Sequence, residues 1–140
     1  MRTIIITTQK QLDKYMESKE YTILEIRAKE MIVVRKTYNN SIVEAWGNST
    51  VKACGNSTVK AYDNSTVWAY NNSIVEAWGN STVEACGNST VKAWDNSTTS
   101  IHSYSSDAKI TLDGYSVCWN KCKSKNIKKK SKTSVIIKVD

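Results

Sequence analysis

The chain has 140 residues, 40% of them hydrophobic, with no Phe and no Pro, and it carries a formal net charge of +7. That length supports one domain with its own core and leaves no room for a second independent one. The longest apolar runs, Ile4 to Ile6 and Met31 to Val34, fall far short of the roughly 20 residues of a membrane helix, so no membrane span is expected.

The opening Met-Arg-Thr-Ile-Ile-Ile has neither an apolar stretch of signal-peptide length nor a small-residue cleavage site, and a cytoplasmic protein with free thiols is expected. Ile4, Ile5 and Ile6 read as a short strand. Thr8-Gln9-Lys10-Gln11 fits a capping box that opens a helix with Leu12, Tyr15 and Met16 on one face. Two stretches with period-two alternation follow, Tyr21 to Ala28 and Met31 to Thr37. Residues 1–40 are expected to form a small N-terminal α+β cap.

From Ser41 to Asn96 an eight-residue unit, Ser-(Thr/Ile)-Val-x-Ala-(Trp/Cys/Tyr)-(Gly/Asp/Asn)-Asn, runs seven times without insertion or deletion. Eight residues cannot bury a hydrophobic face alone, so each copy needs a stacked neighbour. An all-β, single-stranded β-solenoid over residues 41–106 is expected. Alternation sends Ser, Val and Ala inward and the second, fourth and sixth residues outward. The closing Gly-Asn, Asp-Asn or Asn-Asn pair tolerates positive φ and forms the corner, where stacked Asn side chains could build amide ladders. Two octads would give a 16-residue coil and three a 24-residue coil. Residues 41–64 and 73–96 match nearly octad for octad at a spacing of 32, which favours 16. At that spacing Glu44, Lys60, Glu76 and Lys92 form an alternating column suited to a salt-bridge ladder. Trp46, Tyr62, Trp78 and Trp94 line up in an outward aromatic column, and Cys54, Tyr70 and Cys86 in another.

After Thr98 the pattern decays through His102 and Tyr104; Asp107 to Gly114 and Ser134 to Val139 then read as degenerate rungs within a C-terminal cap over residues 107–140. Between them Lys121, Lys123, Lys125, Lys128, Lys129, Lys130 and Lys132 fall in twelve residues without one acid, and the rest of the chain is neutral, with 13 bases and 13 acids. The basicity is one local segment, expected to be a projecting loop.

The octad resembles the short tandem octapeptide-repeat proteins of bacteria and their phages. The resemblance covers residues 41–98 and implies a β-solenoid, carries no catalytic residue to transfer, and implies an interaction protein in the host-cell cytoplasm that inhibits a host defence or nucleic-acid-processing system. The repeat is also similar to ice-nucleation and ice-binding solenoids, which imply a structural scaffold whose repetitive surface is its function. Thr50, Thr66, Thr82 and Thr98 would form one row of such a face, but the neighbouring Lys52, Trp68 and Glu84, and the mixed row Ile42, Thr58, Ile74 and Thr90, break the lattice.

The residues for chemistry are few. His102 is the single His, and four of the five Gly, at 47, 55, 79 and 87, are spent on corners. Neither a triad nor a phosphate-cradling loop can be assembled, so no enzyme and no cofactor are expected. Cys118 and Cys122 have a zinc-compatible spacing without a second pair, and no metal is expected. Two surfaces remain for binding: the aromatic face Trp46, Tyr62, Trp78 and Trp94, suited to self-association or a protein partner, and the lysine segment, suited to an acidic protein or nucleic acid.

Overall fold

The structure is a computed structural model; it describes residues 2–17, 22–35, 37, 41–94, 100–104, 107–121 and 123–139. The elements run β1 (Arg2–Ile6), α1 (Gln9–Met16), β2 (Thr22–Ile26), β3 (Ile32–Val34), β4 (Ser41–Ala45), β5 (Thr50–Ala53), β6 (Thr58–Ala61), β7 (Thr66–Ala69), β8 (Ile74–Ala77), β9 (Thr82–Ala85), β10 (Thr90–Ala93), β11 (Ser100–Ser103), β12 (Lys109–Leu112), β13 (Val117–Asn120), β14 (Ile127–Lys129) and β15 (Val135–Lys138). From β2 onward successive strands alternate between two sheets. One sheet has the order β1-β2-β4-β6-β8-β10-β12-β14, the other β15-β13-β11-β9-β7-β5-β3.

All pairing is parallel, and within the repeat it joins residues one coil of 16 apart. Val43 lies beside Val59, Glu44 beside Lys60 and Ala45 beside Ala61; on the other sheet Thr50, Val51 and Ala53 lie beside Thr66, Val67 and Ala69. The coil therefore holds two octads, and the 24-residue alternative is excluded. Position three is Val and position five Ala in every copy because these side chains meet their counterparts from the facing sheet: from Val43 to Ala93 they are buried to within 1%.

The ladder extends beyond the octads in both directions. Leu24 and Ile26 of β2 stand in register with Val43 and Ala45, and Ile32 of β3 with Val51, so this part of the N-terminal segment already follows the solenoid's path. At the other end β11 joins β9 with Ser100 beside Thr82, a spacing of 18 rather than 16. The next position in the Thr50, Thr66, Thr82 row thus belongs to Ser100, and Thr98 lies outside the described residues. The lysine segment departs from the expected loop. Ile127–Lys129 form β14, with Ile127 beside Ile110 and Lys129 beside Leu112, because Ile127 restores an apolar residue to the inward column.

The corners explain the Gly, Asp and Asn of position seven. Turns whose position six is aromatic are closed by the position-one N–H donating to the carbonyl of position six, as in Ser49 to Trp46 at 3.2 Å and Ser65 to Tyr62 at 3.1 Å. The residue between takes positive φ, 66° at Gly79 and 55° at Asp63. A Cβ on Gly79 would lie 3.1 Å from the Asp63 nitrogen and 3.2 Å from its oxygen, so Gly fits there, while the Asp63 carboxylate accepts from the Gly47 N–H at 3.2 Å. The adjoining Asn side chains are exposed, and the amide ladders expected of them do not form among the described residues.

At the N-terminal end α1 takes the place of a strand. Thr8 and Gln11 form the capping box in both directions, and Leu12 is buried. The Gln9 side-chain amide imitates a peptide unit against β3: its Oε1 accepts from the Val33 N–H at 2.7 Å and its Nε2 donates to the Val33 carbonyl at 3.0 Å. The edge of the seven-stranded sheet is thereby covered.

Position one raises a separate question of polarity. Ser49 Oγ donates to the Trp46 carbonyl at 2.7 Å and Ser116 Oγ to the Asp113 carbonyl at 2.7 Å. The hydroxyls of Ser57, Ser65, Ser73, Ser81 and Ser89 are buried with no hydrogen-bond partner. A buried unpaired hydroxyl costs about 1–3 kcal/mol, and the chain itself places Ala108, fully buried, in the column of Ser89. Ser73→Ala is expected to stabilise the fold by about 1 kcal/mol and Ser49→Ala to destabilise it by about 1 kcal/mol; urea unfolding of the two variants checks the opposite signs.

Candidate functional site

The outward columns are where side chains differ from rung to rung. Backbone hydrogen bonds place Arg27, Trp46, Tyr62, Trp78, Trp94, Asp113 and Lys130 one above another. Trp46 and Tyr62 stack with centroids 4.3 Å apart, and Tyr62 and Trp78 at 5.0 Å. Cations lie over the column near both ends, the Arg27 guanidinium 5.6 Å from the Trp46 ring and the Lys130 ammonium 5.0 Å from the Trp94 ring. The four aromatic residues predicted as a binding face are therefore brought together, but each is half-buried and much of the ring surface is spent on neighbours. Burial, and then the charges of Glu44 and Glu76, raise the Tyr62 phenol above its ordinary range.

The charge column has the predicted register, Glu44 beside Lys60, Glu76 and Lys92 in turn. The salt-bridge ladder itself does not form. Among the described residues the ion pair within 4.0 Å is Arg27 with Glu25, and the Glu44 carboxylate instead accepts from the Trp46 indole at 3.1 Å. Alternation still matters, since like charges stacked at about 4.8 Å would repel.

The lysine segment lies at the C-terminal end, and all seven predicted lysines are exposed. They are not equivalent. Lys121 donates to the Tyr104 hydroxyl at 2.8 Å and covers its ring at 4.5 Å, and Lys130 covers Trp94, so both are engaged within the protein. Lys125 lines two grooves. The first, of about 450 Å³, is formed by Thr90, Lys109, Ile110, Thr111, Lys125, Asn126 and Lys128. The second, of about 480 Å³, is formed by Asn120, Lys123, Ser124, Lys125 and Lys138. Among the described residues neither lining contains an acidic side chain. Lys109 and Lys138 lie outside the lysine run in sequence and are added by the fold; coil spacing, which puts Lys109 next to Asn126 and Lys138 beside Asn120, is the signal that locates them. The corner between the grooves is built, since the Asn120 side chain grips the Ser124 backbone with two bonds of 2.9 Å. Clustered ammonium groups with Thr, Ser and Asn between them suit an anion with several acceptor oxygens.

On the seven-stranded sheet His102 stacks on Trp119 at 6.1 Å. Burial, reinforced by the Lys121 charge and opposed by Glu84, lowers its pKa, so the ring is neutral near pH 7. Cys118 fills the inward column beside Ile101 and is fully buried, which pushes its thiol up to about 12. It stands among the core residues, and Cys122 lies outside the described residues. Among the described residues no three His, Cys, Asp or Glu side chains come together, and no helix is long and apolar enough to cross a membrane. Comparison of the chain with family models, curated proteins and solved structures finds no match in any of the three.

Two outcomes follow from these placements. Tyr62→Ala removes two ring contacts and is expected to lower stability by about 2 kcal/mol, read from the denaturant midpoint. At pH 8 the Cys118 thiolate is about one part in 10⁴ of the total. Iodoacetamide followed by mass spectrometry should therefore modify the half-buried Cys54 and Cys86 in the native protein and reach Cys118 only after unfolding.

Proposed function

We propose that the protein is a non-catalytic β-solenoid interaction module that binds the phosphate backbone of nucleic acid through its lysine-lined C-terminal end. The observation that carries this reading is the pair of grooves sharing Lys125, which collect Lys109, Lys123, Lys128 and Lys138 with no carboxylate among the described lining residues. Releasing the counterions condensed on a polyphosphate drives such binding without base readout, and lysines suit it because each acts as a mobile point charge. The described residues of the linings offer ammonium, hydroxyl and amide groups, which suit binding a polyanion.

The sign of the charge also bears on how an inhibitor of nucleic-acid processing would act in the host cytoplasm. A protein that occupies a nucleic-acid-binding surface must be acidic to match it, whereas this chain is +7. Masking the nucleic acid itself is the mode its electrostatics favour. The aromatic column, largely engaged with itself, then serves the rod's stability more than a partner.

Replacing Lys109, Lys125 and Lys128 together by Gln leaves the core untouched, because all three are exposed. Affinity for a labelled oligonucleotide is expected to fall at least about tenfold at low salt, and the slope of log K against log salt to become shallower by about 2–3. Fluorescence anisotropy over a salt series measures both. Binding that is independent of salt, or unchanged in the triple variant, refutes the assignment.

A further inference from the structure

The two lysine-lined grooves open on different surfaces of the rod. Thr90, Lys109, Thr111 and Lys128 are outward positions of β10, β12 and β14, so the first groove lies on the outer face of the eight-stranded sheet. Asn120 and Lys138 are neighbours in an inward column of the other sheet, and Lys138 stands on its terminal strand, so the second groove opens at the end of the ladder. The corner at 124–126 separates the two, and Lys125 belongs to both linings.

We infer that the ligand of this end is single-stranded nucleic acid, its backbone turning over the 124–126 corner from one groove into the other with Lys125 between successive phosphates. The inference rests on the phosphate-binding reading above. What adds to that reading is curvature. Duplex DNA has a persistence length of about 150 base pairs, and wrapping it over one corner of a protein requires a kink that costs several kcal/mol. A duplex laid along one face engages Lys109, Lys125 and Lys128, or Lys123, Lys125 and Lys138, but not both sets. A single strand follows the corner and engages all five.

Bases freed from pairing also need a surface, and β13, which supplies Asn120 to the second groove, carries the exposed Trp119 on its outer face. Trp119, one residue before Asn120 in β13, lies on the outer face of the seven-stranded sheet, is 38% exposed, and stands between the parallel His102 ring on one side and Ile137 of β15 on the other. An exposed aromatic side chain within one residue of a groove-lining position is what a strand leaving that groove can use for its unpaired bases, without regard to sequence. A duplex, its bases already stacked, gains nothing from it.

The experiment compares a fluorescein-labelled single-stranded DNA of about 16 nucleotides with a blunt duplex of the same sequence, at one ionic strength, by anisotropy. The single strand is expected to bind at least about tenfold tighter although it carries half the charge. Trp119→Ala should weaken the single strand about five- to tenfold and leave the duplex unchanged. Circular dichroism of the variant confirms an intact solenoid. A duplex that binds as tightly as the single strand, or a Trp119→Ala effect equal on both, overturns the single-strand inference and leaves phosphate binding standing. Failure of both probes to bind overturns the phosphate reading and this inference together.

Discussion

The structure depends on in-register parallel stacking with a coil of 16 residues. Once backbone hydrogen bonds lock Val43 beside Val59 and Ala45 beside Ala61, every octad position becomes a column in which each side chain sits about 4.8 Å from its equivalents above and below. A column accepts only residues that tolerate their own kind at that distance. Val and Ala do so inside, where the facing sheet leaves no room for more, and rings do so outside because offset stacking is favourable at these separations. Charges do not, and the Glu-Lys alternation down one column follows from that repulsion even though no ion pair closes.

Register also decides what happens at the two ends, because a parallel ladder always leaves unpaired N–H and C=O groups on its last strands. At the N-terminal end the solution is local and polar: α1 supplies Gln9, whose side-chain amide pairs with Val33 as a peptide would. The helix was legible from its capping box and its i, i+3, i+4 apolar face. The use of Gln9 was not, since nothing in a lone glutamine distinguishes a solvated side chain from a strand mimic. The same holds for the serines of position one. Their burial follows from alternation, but which of them finds a carbonyl is fixed by details of each corner.

The repeat made the fold and the coil length readable because identical residues at fixed spacing report register directly, and a period of 32 is divisible by 16 but not by 24. Where the octad decays, that signal fails. Strand β13 has Cys118 in a Val column and Asn120 in an Ala column, so the alternation of small residues survives there only in disguise. Strand β14 lies inside a run that composition marks as loop, and one isoleucine, Ile127, is enough to hold it to the ladder. Insertions of one to three residues shift the spacing from 16 to 17, 18 or 19 after β10, which is why Ser100 rather than Thr98 continues the threonine row and why Lys109 joins a lysine cluster from outside it.

Closure and binding converge on the same residues at the C-terminal end. Lys129 and Lys138 stand in inward columns of the outermost strands, beside Leu112 and Asn120, yet both are exposed. Another copy of the chain docked on this end would have to desolvate two ammonium groups against an apolar interior, a penalty of several kcal/mol per charge. Growth of the ladder is therefore opposed electrostatically where it is not opposed by covering. That opposition is selective by sign, since it falls away for a ligand that brings its own negative charge and keeps its water. A ladder end that carries lysine is thus a poor seat for another rung and suits the polyanion proposed above, and the two grooves around Lys125 are the shape that surface takes.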